Sequence, residues 1–333
     1  MSDNVFAGLI GKSQGAGGAR YKLLAFGSLI ILFVVFSLAS PNFLQTSNIL
    51  AILQATSVNG VLAIAATVVI ITGGIDLSVG TLMTFCAVIA GVVLTFLGLP
   101  LPLGIAGAIL AGAGAGFVTG NIVARLRIPP FIATLGMMLI LKGLSLVISG
   151  TRPIYFNGTP GFTSISQGSI VGTVIPAVPV PNGVLVLFAV AIVISLVLTR
   201  TALGRYTFAL GSNEEAVRLS GVNTQAWKVA VYTLAGAICG IAGLLIASRL
   251  NSAQPALGQG YELDAIAAVV IGGTSLAGGS GTILGTLIGA LIISVLANGL
   301  RIMSVPQEWQ TVITGTIIIL AVYIDMLRNR NAS

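Results

Sequence analysis

Of the 333 residues, 56% are apolar and only 7% charged, and the mean hydropathy is +1.07; a soluble domain carries about 25% charged residues. This composition excludes a water-soluble enzyme or binding module and specifies an integral membrane protein. The net charge of +7 does not point to nucleic acid, because the basic residues lie in loops between apolar runs and not on an aromatic-studded polar face.

Histidine is absent, which removes the commonest general base and transition-metal ligand. Cys86 and Cys239 each sit inside an apolar run, at neither zinc nor redox spacing, and read as small buried side chains. No metal site is expected and no catalytic residue is assigned.

Residues 1–22 are polar and small, with Lys12, Arg20 and Lys22. Gly11, Lys12 and Ser13 look like the end of a phosphate-binding loop, but Phe6 stands where its leading glycine belongs and no buried strand precedes it. The first apolar run, Leu23 to about Ala39, exceeds a secretory signal core of about 7 to 15 residues, and Pro41 follows its small-residue site. It is kept as a helix. Further runs predict helices over 49–72, 78–98, 103–124, 130–149, 183–199, 229–248, 264–276, 282–300 and 310–326. The expected fold is all-α, a polytopic membrane protein of about ten transmembrane helices that cross about 30 Å of hydrocarbon. Strands of a membrane barrel would alternate in polarity instead.

The second run carries Gln54, Thr56, Ser57 and Asn59 just before Gly60, which predicts an interrupted helix or one lining an aqueous path. It leads into Ile71, Gly73, Gly74, Ile75, Asp76, Leu77, Ser78 and Gly80. Gly73 and Gly74 can stop one helix, while Asp76 or Ser78 accepts free N–H groups at the start of the next. A second version follows about two hundred residues later: Val269, Val270, Ile271, Gly272, Gly273, Thr274, Ser275 and Leu276, then Gly278, Gly279, Ser280 and Gly281. The chain therefore reads as two pseudo-repeats hinged at glycine joints, and the short eighth run fits a half-helix.

Between the spans, Gly150–Asn182 forms a long outer loop rich in Gly, Pro, Ser and Thr, either a docking surface or a solvated linker. The inner segment Arg200–Lys228 contains Ser212, Asn213, Glu214, Glu215, Ala216, Val217, Arg218, Leu219, Ser220 and Gly221. Ser212 with Glu215 has the spacing of a capping box and Gly221 is a C-terminal stop, so a two-turn helix is expected. A helix that short is marginal in water, and its apolar members imply a partner surface. With a cytoplasmic start, the inner segments hold eleven basic residues and the outer loops three, Arg152, Arg249 and Arg301. That asymmetry puts both termini in the cytoplasm. Lys142 alone among the basic residues falls within a span, where it has to face the bundle or a wet cavity.

Small residues at four-residue spacing, Gly112 with Gly116 and Gly120, Gly236 with Gly240, and Gly285 with Gly289, predict close helix packing. Acids inside or beside apolar runs are few: Asp76, Glu262, Asp264, Glu308 and Asp325. Asp76, Glu262 and Asp264 stand where helices begin, which reads as capping before ion coupling.

These stretches resemble the membrane subunits of bacterial ABC importers for monosaccharides, the ribose permeases most of all. The match is carried by Ser57–Asn59 with Gly73–Gly80, by Phe131–Gly136, by Gly204–Gly221 and by Ser252–Gly281, within similarity over roughly 40–326. The resemblance implies a permease domain over 23–326, with a coupling loop at 200–228, a periplasmic loop at 150–182, and cytoplasmic tails at 1–22 and 327–333. It implies a homodimer in the inner membrane, cytoplasmic ATPase subunits beneath that hold ATP and Mg while this chain holds no cofactor, and a periplasmic or lipid-anchored sugar-binding protein above. Ser212, Glu214, Glu215, Ala216, Arg218, Leu219 and Gly221 then belong to the element that couples to the ATPase.

For a neutral sugar moved by alternating access, Gln54, Ser57, Asn59, Phe131 and Asn298 are the pathway candidates, and Gly73, Gly74, Asp76, Gly272 and Gly273 the helix-break and gating residues. The competing reading is an ion-coupled secondary transporter, which needs an acid deep in the membrane. A membrane-embedded enzyme lacks a histidine base or ligand cluster.

Overall fold

The structure, a computed structural model, describes residues 16–176 and 179–330. The phosphate-loop lookalike at Gly11–Ser13, most of the expected N-terminal tail and residues 331–333 lie outside the described residues.

In chain order the helices are α1 (Ala16–Ala39), α2 (Thr46–Ile70), α3 (Val79–Gly91, continued by a π turn, Val92–Phe96), α4 (Leu101–Ala124), α5 (Pro130–Ser149), α6 (Ile170–Val174), α7 (Asn182–Arg200), α8 (Ala202–Leu219), α9 (Thr224–Leu250), α10 (Tyr261–Ile271), α11 (Ile283–Ile302) and α12 (Gln307–Arg330). Two short strands, β1 (Ile154–Tyr155) and β2 (Ser252–Ala253), pair antiparallel, Ile154 opposite Ala253. Each apolar run read from the sequence overlaps a helix, although the eighth, 264–276, overruns α10, which ends at Ile271 before Gly272 and Gly273. Among the described residues seven helices, α2 to α5, α7, α9 and α11, are long and apolar enough to cross a membrane. In α1 the apolar stretch is Ala25–Ala39, and α10 has eleven residues.

Helix α2 is buried almost without a break from Thr56 to Ile70, Asn59 excepted, as a core helix is. The interruption expected at Gly60 does not occur. Gly60 is small for packing: a Cβ there would stand 2.8 Å from Leu187 Cδ1 on α7. Around α2 pack α7, α9, α10 and α11, and buried Thr67 shares a 2.7 Å hydroxyl contact with Thr286 of α11.

The glycine stripes do meet. A Cβ on Gly112 of α4 would overlap the carbonyl of Gly236 on α9, and one on Gly236 would overlap the carbonyl of Gly112. Gly116 faces the Tyr232 carbonyl, and Gly240 faces Ala108 O at 2.7 Å. In lipid, where apolar burial drives helix association weakly, such backbone contact holds two helices together.

On the side where α5 ends and α7 begins, the loop 150–182 is pinned to the end of α9. Ser248 Oγ donates to Phe162 O (2.8 Å) and accepts from Ser166 N (2.9 Å), and Phe156 stacks on Phe162 with ring centres 3.9 Å apart. The first half of this loop is therefore a packed cap on the bundle.

Candidate functional site

The first joint is a helix end, a left-handed glycine and an unwound segment braced by side chains. Ile70 O receives Gly73 N at 2.9 Å and Gly73 adopts φ +79°, a conformation that favours glycine. Gly74 is needed for space, since a Cβ there would stand 2.8 Å from the Tyr232 hydroxyl. Asp76, 5% exposed, does not cap α3 directly. Its Oδ1 accepts Ser78 N (2.8 Å) and Ser78 Oγ (2.6 Å), so the carboxylate folds the turn from which α3 starts. Buried Thr134, in the first turns of α5, clasps the segment from the other side: its hydroxyl accepts Leu77 N (3.1 Å) and lies 3.2 Å from Ile75 O, to which it donates. Sequence reasoning picked Phe131 from this stretch and passed over Thr134. A lone threonine within an apolar run was the available signal.

The second joint repeats the backbone and replaces the side chains. Val270 O receives Gly273 N at 2.9 Å and Gly273 has φ +86°. Gly272 is right-handed (φ −68°), and its role is close approach. A Cβ on Gly272 would overlap Gly285 O, and one on Gly285 would overlap Gly272 O. Beyond the joint, Thr282 caps α11 by accepting Gly285 N (3.2 Å).

The two joints meet each other and the start of the expected coupling element. Gly279 N donates to Ile71 O at 2.9 Å. A Cβ on Gly278 would stand 2.8 Å from Gly73 N and 3.0 Å from Gly211 O, one on Gly279 would stand 3.1 Å from Ser212 Cα, and one on Gly211 would overlap Ile71 O. Backbone touches backbone in all three directions. Gly211 and Ser212 therefore abut Ile71 and Gly279 with no side chain between them.

The segment 200–228 holds more helix than expected. Helix α8 starts at Thr201, whose side chain accepts Gly204 N, and kinks at Asn213 (φ −161°, ψ 94°). The cap of the short helix is Asn213, whose Oδ1 accepts Ala216 N at 2.9 Å. Ser212 is instead held against Gly279. Glu215 makes no box with Ser212 and pairs with Arg218 at 2.6 Å, while Glu214 pairs with Lys228 at 2.6 Å. The hydrogen bond and charge of Glu215 push the Arg218 guanidinium further up from its ordinary value. Gly221 ends the helix with φ +80°. Ala216 is exposed and Leu219 is 77% exposed.

The pathway candidates do not form one cluster. At 3.6 residues per turn Gln54 and Ser57 share one side of α2 and Asn59 points away from both. Ser57 is fully buried, donates to Gln54 O (2.8 Å) and seats the first turn of α7, where a Cβ on Gly183 would stand 2.9 Å from its Oγ. Gln54 and Asn59 are half-buried. Asn298 Nδ2 donates to Asn48 Oδ1 at 2.9 Å, tying α11 to the start of α2. Phe131 is 52% exposed at the start of α5. Lys142 has a partner the sequence did not name: its Nζ donates to Gln259 Oε1 at 3.0 Å. Among the described residues no group of three His, Cys, Asp or Glu is placed to hold a metal.

Residues 48–322 match the family described as branched-chain amino acid transport system / permease component. The chain belongs to this permease family. The ribose import permease protein of Escherichia coli K12 is 45% identical to it over 303 residues, 90% of this chain and 91% of that protein. The ribose import permease protein of Bacillus subtilis 168 is 42% identical over 310 residues, 92% of this chain and 94% of that protein, and the fructose import permease protein of Rhizobium meliloti is 38% identical over 303 residues, 91% of this chain and 82% of that protein. No solved structure matches the chain.

Proposed function

We propose that this permease imports a monosaccharide of ribose type as the membrane subunit of an ATP-driven, binding-protein-dependent system. The observation that carries the substrate is the 45% identity to a ribose import permease across 90% of the chain. In this reading α1 to α5, α7 and α9 to α12 make ten passes, both termini are cytoplasmic in a bacterial inner membrane, and two copies enclose one pathway. This chain performs no chemistry. A cytoplasmic ATPase hydrolyses ATP with Mg, and an outer binding protein, soluble or lipid-anchored, delivers the sugar.

The three-way glycine contact supports a mechanism. Opening and closing of the ATPase dimer moves the short helix of α8, with Glu214, Glu215, Ala216, Arg218 and exposed Leu219 on its surface. Gly211 and Ser212 pass the shift to Ile71 and Gly279, and the joints at Gly73–Asp76 and Gly272–Gly273 reorient α3 and α11 so that the pathway faces one side and then the other. Ion coupling is not favoured: Asp76 is occupied by Ser78, Glu262 accepts Gly260 N at 3.1 Å, and Asp264 stands in the first turn of α10, so all three acids lie at helix starts.

The test is labelled ribose uptake in proteoliposomes holding this chain, its ATPase and its binding protein. Uptake that requires ATP and both companions is the expected result. Accumulation by this chain alone under a proton or sodium gradient would overturn the proposal.

A further inference from the structure

Helix α4 packs on one side only. Gly112, Gly116 and Gly120 bring that side against the backbone of α9, and of the seven helices able to span a membrane α4 is the least buried within the chain. The other side carries a hollow. Phe117, Asn121 and Arg125 form one ridge and Val118, Ile122 and Leu126 the next, each at four-residue spacing, and about 290 Å³ of open space lies along them. The surface this hollow offers is carbon. Asn121 turns its amide back on Phe117 O at 2.7 Å, and Arg125 contributes its aliphatic stem, as a side chain does that keeps its charge in water. One turn deeper, Gly114 is exposed with nothing within 4 Å of where a Cβ would sit, so the track stays open toward the middle of the span.

The charge is all at one end. Arg125 closes the helix, and beyond it Ile128 N reaches back to Ile122 O at 3.4 Å, so the turn that holds Arg127 (φ +58°) folds onto the last turn of α4. Both arginines are exposed, and the two ion pairs among the described residues involve other side chains. From Arg125 to Phe117 the track runs about 12 Å, at about 1.5 Å per residue. Charge and depth then separate the occupants. A second copy seated here by two-fold symmetry would set arginines against arginines. A soluble subunit beneath the membrane meets Arg125 and Arg127 and does not reach Phe117. A phospholipid with an anionic headgroup matches both ends, its phosphate on the guanidinium groups and an acyl chain along the carbon track.

We infer that the hollow running along α4 from Arg125 and Arg127 to Phe117 binds an anionic phospholipid. The inference rests on the reading of α4 as a span whose Arg125 end meets the cytoplasmic leaflet, and not on the solute carried. The full-length protein in mild detergent is titrated with phosphatidylglycerol or with phosphatidylcholine of the same chains, and bound lipid is counted by native mass spectrometry. Phosphatidylglycerol binds about twentyfold more tightly, about fivefold for each basic residue at an anionic headgroup. Arg125→Gln and Arg127→Gln each remove about fivefold, and Val118→Trp, which fills the track, weakens binding with both arginines in place. All three are exposed positions, and Tm without lipid stays that of the wild type. Equal binding of the two lipids, or undiminished phosphatidylglycerol binding by the double arginine variant, would overturn the site. So would stabilisation matched by inorganic phosphate alone, which marks an anion patch without a chain. Unchanged lipid binding with loss of self-association in Val118→Trp would assign the hollow to a second copy, and with loss of ATPase attachment in the arginine variants to the soluble subunit. The leaflet is decided separately: Arg125→Cys reacts with a membrane-impermeant thiol reagent in inside-out vesicles and not in right-side-out ones. The reverse pattern would strike the orientation and leave the lipid measurement standing.

Discussion

The two glycine joints share a backbone and differ in what surrounds it. Both put a glycine at positive φ three residues after the carbonyl it bonds, Gly73 after Ile70 and Gly273 after Val270. The first adds side-chain hydrogen bonds from buried Asp76 and Thr134 to its backbone contacts; at the second, glycine carbonyls press together at Gly272 and Gly285 and Ser275 Oγ accepts Ala277 N at 3.3 Å. One kind of brace breaks and remakes bond by bond, whereas the other yields only if whole backbones separate. On the gating reading, the first joint is the one that rearranges more readily and the second the stiffer of the two.

The sharpest way to break this contrast is Gly272→Val. Its Cβ meets backbone that no rotamer change can move, so stability falls by about 1 to 3 kcal/mol or more, read as a lower Tm in detergent and loss of uptake, whereas Gly74→Ala, which meets the end of the Tyr232 side chain, falls by less. Asp76→Ala comes next: the amide and hydroxyl of buried Ser78 lose their acceptor, at about 1 to 3 kcal/mol, and Asp76→Asn, which keeps a carbonyl oxygen, recovers most of it in the same thermal assay. Thr134→Val loses one acceptor and one donor around Ile75–Leu77 and is expected to cost about 1 kcal/mol. If it left both Tm and uptake unchanged, the clasp would be idle. The smallest stability effect belongs to Glu215→Lys with Leu219→Lys, exposed changes expected within about 0.5 kcal/mol. On the coupling reading these uncouple ATP hydrolysis from uptake while insertion is unaffected, and intact transport would remove that assignment.

What could be read in advance follows from which physics is local. Apolar run length located all seven helices that are long and apolar enough to cross a membrane among the described residues, because the bilayer imposes one length scale on the chain. Glycine pairs beside capping side chains marked both joints, and the stop at Gly221 followed from its left-handed conformation. Choices between neighbouring residues of similar chemistry were not legible. Ser212 and Asn213 are both good caps, and the box spacing to Glu215 favours the serine; Asn213 takes the role because Ser212 is held against Gly279, some 67 residues away in sequence. Gly60 reads as a break and serves as a seat for Leu187. The convergence of Ile71, Gly211 and Gly279 left no local trace, since each glycine there is one of 43 in the chain, and only the third dimension shows which of them touch. The partner of Lys142 lies in a turn before α10 whose approach is set by Gly80 and Gly258 together.

The two ion pairs among the described residues both involve the short helix of α8, Arg218–Glu215 within it and Lys228–Glu214 joining it to α9, and both reach solvent. Mobile ions weaken such pairs over a Debye length of about 8 Å at physiological strength, while the span interiors contain nothing comparable for electrolyte to act on. On the coupling reading, raising the salt concentration on that side should therefore loosen the short helix and spare the spans, so that uptake declines before the fold does.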